Sequence, residues 1–169
     1  MAERPSRLWK DLPADKRSQV AEAFWRDESS DDVQVQQLEA TLLLAKRLNF
    51  RPKSVLSLSV ERRAKHLAQM SEVSDPVATR ALIAYHFATM RPLMAAFLDA
   101  LGIGHDQGLI TDEQVEAPDR QRLETALATV STTFALDDVD LYAKTLAALD
   151  SDTWRNLDGL TAATALRGT

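Results

Sequence analysis

Between Ala81 and Leu98 the chain runs ALIAYHFATMRPLMAAFL, a segment whose one formal charge is Arg91. An amphipathic helix keeps one face wet, so a segment apolar all round predicts a helix enclosed by neighbours. Pro92 interrupts it. Proline has no N–H, so the carbonyl of Ala88 loses its helical donor, and the ring crowds that same carbonyl. The pattern predicts a kinked or broken apolar helix over about 76–101. If broken, one helix ends near Thr89 and the next starts at Pro92. Arg91 is expected as a buried or half-buried cation. Ser74-Asp75-Pro76 reads as a cap followed by a first-turn proline, and Leu101-Gly102 as a stop.

The flanking segments show helical spacing as well. Pro13 opens a helix with Val20, Ala23 and Phe24 on one face. The run from Glu28 to Asp32 is a capping-rich loop. The next helix, about 33–48, carries Val35, Leu38, Leu42, Ala45 and Leu48 at three- and four-residue steps, which predicts its buried stripe. Arg51-Pro52 interrupts, and a third helix starts near Ser57 or Ser59 and buries Val60, Ala64, Leu67 and Ala68. Thr111-x-x-Gln114 resembles a capping box for a short turn. Pro118-Asp119 opens a helix through Leu123, Ala126, Leu127, Val130 and Phe134. Asp137 or Asp138 is expected to cap another, with Val139, Tyr142, Leu146 and Leu149 on one face. A short helix follows near Trp154, and residues 161–169 read as a frayed tail.

Strand patterning is nearly absent, and no repeat of 30–45 residues emerges. The expected fold is all-α: a compact single-domain bundle, residues 1–169, of about seven or eight helices around the 76–101 element.

Composition narrows the classes. With 45% hydrophobic and 27% charged residues the chain is ordinary for a globular domain. Zero cysteine excludes disulfides, thiol catalysis and cysteine zinc sites. No apolar leader or clean membrane span is read, so a cytoplasmic protein without membrane contact is expected. Net charge is -5, unevenly spread. Residues 1–84 hold fourteen Lys/Arg against twelve Asp/Glu, and residues 85–169 hold six against thirteen. Lys46, Arg47, Arg51, Lys53, Arg62, Arg63 and Lys65 form a basic stretch opposed by Glu61 alone. That stretch is a candidate nucleic-acid surface, though acidic net charge argues against one.

Candidate chemistry centres on Tyr85, His86 and Arg91 near the proline, with His105 and Asp106 in the Gly102–Gly108 loop. Histidine donates or accepts, and a desolvated arginine seeks a carboxylate or phosphate, so these five could line an anion-binding pocket. The structural alternative has Arg91 paired with Asp99 or Asp106 and the glycine loop as a plain turn. The histidines His66, His86 and His105 fall in no metal-ligand spacing, and neither metal nor cofactor is expected. No nucleophile elbow or phosphate loop is present. The favoured expectation is a non-enzymatic helical interaction or scaffold protein that binds a protein partner or itself. Its acidic C-terminal half and basic 46–65 stretch would then be complementary surfaces.

Overall fold

Helix boundaries fall largely where capping residues and prolines place them. The computed structural model describes residues 2–168. Among these are ten α-helices and one pair of two-residue strands, so the fold is all-α. Eight of the helices are seven residues or longer. The described residues divide into two compact units, Arg4–Ala88 and residues 2–3 with 89–168.

The N-terminal unit holds α1 (Pro5–Asp11), α2 (Ala14–Arg26), α3 (Asp31–Leu48), α4 (Pro52–Leu56), α5 (Val60–Ala68) and nearly all of α6 (Asp75–Thr89). Ser30, Ser59 and Ser74 accept hydrogen bonds from the backbone N–H three residues on, which caps α3, α5 and α6. Asn49 ends α3 in the left-handed region, and Phe50 N–H then reaches back to Ala45 O. Helices α2 and α5 pack together. At the end of α2, Arg26 meets Glu61 at 2.7 Å and the Trp25 ring lies 5.0 Å beneath the Arg63 guanidinium. Trp9 is fully buried and donates through Nε1 to Met70 O at 2.8 Å. The apolar face of α6 is wide, with Val77, Ala78, Ala81, Leu82, Ala84 and Tyr85 all buried.

The C-terminal unit holds α7 (Arg91–Leu101), strands β1 (His105–Asp106) and β2 (Leu109–Ile110), α8 (Arg120–Ser131), α9 (Leu136–Leu149), a 3-10 turn at Arg155–Leu157, and α10 (Ala162–Arg167). Leu93, Met94, Phe97, Leu98 and Leu101 form the buried stripe of α7, which packs on α8. Phe97 stands edge-on to Tyr142 at 5.6 Å and meets Trp154 at 6.1 Å. Burial among these rings pushes the Tyr142 phenol well above its ordinary range.

The long apolar element is broken rather than kinked. Met90 leaves helical geometry (φ -118°, ψ 15°), so α6 stops at Thr89 and α7 starts at Arg91. Each half buries its own stripe, but the junction is wet: Ala88, Thr89, Arg91 and Pro92 are all exposed. Arg91 is therefore not the buried or half-buried cation that the sequence predicted. Exposure lets water serve the carbonyl that proline cannot, which removes the need for a buried partner.

Three smaller expectations are also corrected. Ala135 occupies the cap position of α9, so Asp137 and Asp138 lie in its first turn and face the positive end of its dipole. Thr111–Gln114, expected as a capped short turn, is irregular with a single bend at Glu113. The segment read as a frayed tail carries α10, held by a Thr161–Thr164 capping box and by Ala162 N–H donating to Asp140. Thr169 lies outside the described residues. Among those residues no single helix is long and apolar enough to cross a membrane.

Asp75 latches the start of α1 to the start of α6. The hydroxyl and N–H of Ser6 and the Arg4 guanidinium hold its carboxyl down at about 2. A folded-state pKa below the unfolded value of about 3.9 adds stability that is complete above that value and is lost as pH falls towards about 2. Asp75→Asn should lower the thermal midpoint at pH 7 by about 2 °C, as expected for a largely solvated pair. The gap from wild type should narrow as pH falls below about 3.9 and vanish only below pH ~2, where Asp75 is protonated in the folded state as well. Melting curves across that range that keep a constant gap would refute the latch.

Candidate interaction surface

Helix α3 carries apolar side chains on two opposite arcs. Val33, Ala40, Leu44 and Ala45 are buried, together with Thr41. Val35, Leu38 and Leu42 are 62%, 58% and 51% exposed. At about 100° per residue these three fall within an arc of about 60°, turned away from the Val33–Ala40–Leu44 face. The stripe predicted as buried is thus mostly the outer one. Of its five members Ala45 is buried and Leu48 half-buried, and the other three face solvent.

The rotation of α3 has a polar cause. Gln37 donates from Nε2 to the carbonyls of Phe24 and Asp27, each at 2.9 Å, where α2 ends. The last carbonyls of a helix have no partner within it, so a side-chain amide that reaches them is strongly placed. Thr41 bonds back to Gln37 O at 2.8 Å. With Gln37 held against α2, Leu44 turns inward and Leu38 and Leu42 turn outward.

Charge is ordered along the outer face. Asp31 and Asp32 occupy the first turn and Lys46 and Arg47 the last, all exposed. Asp32 sits 3.7 Å from Arg80. Glu39 is exposed beside Leu38. Beyond α3, Phe50 is 46% exposed and Leu56, at the end of α4, 56%. Of the basic stretch, Lys46, Arg47, Arg51, Lys53, Arg62 and Lys65 are exposed, whereas Arg63 is half-buried over Trp25. Phe50, Leu56 and the outer role of Val35, Leu38 and Leu42 were missed by pattern reading. One signal was available: α3 holds more apolar residues than one stripe can bury.

The five residues considered for an anion pocket lie in separate units. Tyr85 is buried in α6 and accepts from Lys16 Nζ at 2.9 Å. His86, also buried, donates from Nδ1 to Leu82 O at 2.7 Å and stands edge-on to Tyr85. The other three belong to the C-terminal unit. Arg91 donates to Gln107 O at 3.1 Å. His105 accepts from Gly108 N–H through Nδ1 at 3.2 Å, so its proton sits on Nε2 and is donated to Asp99 at 2.7 Å. Asp106 is exposed on β1, opposite Leu109. Gln107 and Gly108 both have positive φ, the signature of a tight hairpin turn, and a Cβ on Gly108 would meet Met94 Cβ at 2.7 Å. Arg91 and His105 therefore brace a hairpin.

Among the described residues no group of three histidine or acidic side chains is arranged to hold a metal ion. A groove of about 500 Å³ on the C-terminal unit is lined by Ala143, Lys144, Trp154, Arg155 and Asp158 among others. Its charges are mixed, and Lys144 already lies 3.9 Å from Glu3.

Replacing Gln37 with leucine should destabilise the protein by about 1–3 kcal/mol, since two helix-end carbonyls lose a donor in a half-buried setting. Denaturant unfolding of this variant measures it. An unchanged midpoint would show that the amide does not set the rotation of α3.

Compared with known proteins, the chain matches no protein family, no curated protein and no solved structure.

Proposed function

We propose that this is a non-enzymatic helical interaction protein of the cytoplasm that binds a protein partner through the outer face of α3. The observation that carries the reading is the ladder of Val35, Leu38 and Leu42, each more than half exposed on one line of a helix whose opposite side is buried. Burying one large aliphatic side chain stabilises by about 1.5–3 kcal/mol, so three aligned ones leave several kcal/mol to be recovered on association. Isolated exposed leucines are ordinary; a ladder at helical spacing is how an amphipathic helix meets another helix. The basic 46–65 stretch and the acidic C-terminal half add attraction between molecules that weakens with salt.

An anion pocket has less support, because Arg91 and His105 bond to their own hairpin. Nucleic-acid binding through Lys46, Arg47, Arg51, Lys53, Arg62 and Lys65 has less support: Phe50 is exposed beside the stretch, but the ring of Trp25 is covered by Arg63 and the net charge of -5 opposes phosphate contact.

Two measurements test the reading. The double variant Leu38→Gln, Leu42→Gln should unfold within about 0.5 kcal/mol of wild type, as substitutions outside the core do. A loss above about 2 kcal/mol would place the ladder in the core and end the proposal. A photo-crosslinking phenylalanine at position 38 should give protein adducts in cells of the source organism, whereas the same probe at Gln121 on α8 should not. Absence of any adduct at position 38 would also end it.

A further inference from the structure

We infer that the partner of this face is a second copy of the chain, with α3 pairing antiparallel to α3 about a two-fold axis. The inference rests on the docking role proposed above and adds the identity of the occupant. Read along the outer face, α3 presents Asp31, Val35, Leu38, Leu42 and Lys46 in that order. This is a palindrome of chemistry: acid, three aliphatics, base. A two-fold axis passing between Leu38 and Glu39 sets Asp31 opposite the partner's Lys46. It also sets Val35 opposite the partner's Leu42, and the two Leu38 side chains beside each other. Both ends are satisfied by one operation, as an isologous interface requires.

Parallel pairing fails on the same residues. It would bring Asp31 to the partner's Asp31 and Lys46 to the partner's Lys46, with both helix dipoles aligned. Antiparallel pairing opposes the dipoles and matches the charges. The three-then-four spacing of Val35, Leu38 and Leu42 is the seam spacing of two helices crossing at about 20°. Asp32 is already near Arg80, which leaves Asp31 as the acid on the outer line. One contact is unfavourable: the axis brings Glu39 close to the partner's Glu39. A single helix pair with a like-charge contact at its centre makes a weak, reversible dimer rather than an obligate one.

Sedimentation velocity on the full chain, from about 1 µM to about 500 µM, spans the affinities that such a small interface supports. The expected result is a monomer–dimer equilibrium that weakens with salt. Leu38→Gln should weaken it at least about tenfold, the loss of one well-buried aliphatic at the axis. Glu39→Gln should tighten it several-fold. Asp31→Lys alone and Lys46→Asp alone should each weaken self-association. Mixing those two single variants should restore dimers, because each then meets its complement at both ends. Circular dichroism of each variant checks that α3 remains helical.

A chain that stays monomeric throughout, while the probe at position 38 still captures a different protein, overturns the self-pairing and leaves the docking face standing. Monomer with no adduct removes both. A dimer indifferent to Leu38→Gln, or a mixture no tighter than its components, places the contact elsewhere and overturns the inference.

Discussion

Gln37 spends both amide hydrogens on the carbonyls of Phe24 and Asp27, and this choice decides which side of α3 belongs to the core. Buried carbonyls at a helix end cost free energy unless a donor reaches them, and a glutamine reaches them in one rotational setting of its helix. Once that setting is taken, Val33, Ala40 and Leu44 go in and Val35, Leu38 and Leu42 go out. Hydrophobic burial alone prefers neither arc strongly, since both offer aliphatic residues. A polar contact therefore chooses between two apolar options.

The break at Met90 obeys the same logic of satisfying backbone groups. Pro92 removes one donor from a long apolar helix, and the chain responds by ending α6 and restarting with proline in the first turn of α7. The freed groups lie at an exposed junction, where Arg91 is also at home. From there its guanidinium reaches Gln107 O and steadies a hairpin whose turn is set by the positive φ of Gln107 and Gly108. His105 completes the brace, with each ring nitrogen engaged and its tautomer fixed by Gly108 N–H. Arg91 and His105 thus each bond within or beside a loop rich in glycine.

Helix α3 carries exposed aliphatic residues and ordered charge on one face. Its acidic start and basic end suit its own dipole, which is reason enough for their placement within one molecule. The same order makes the outer face complementary to itself when reversed. A feature selected for helix stability and a feature suited to association are here the same residues, Asp31 and Lys46.

The all-α class, the long apolar element and most helix starts were legible in the residues, because capping serines, prolines and aliphatic spacing act locally. Ser30, Ser59, Ser74 and Asp119 cap helices near the predicted places, and Gly102 ends α7 in the left-handed region. Tertiary structure decided what local rules cannot reach. Which arc of α3 is buried depends on a glutamine meeting carbonyls 10 and 13 residues earlier. Whether Arg91 is dry depends on where the proline break lies relative to solvent. Helical periodicity records that a face is apolar and is silent about what covers it; only packing against the rest of the chain distinguishes a core stripe from one left open.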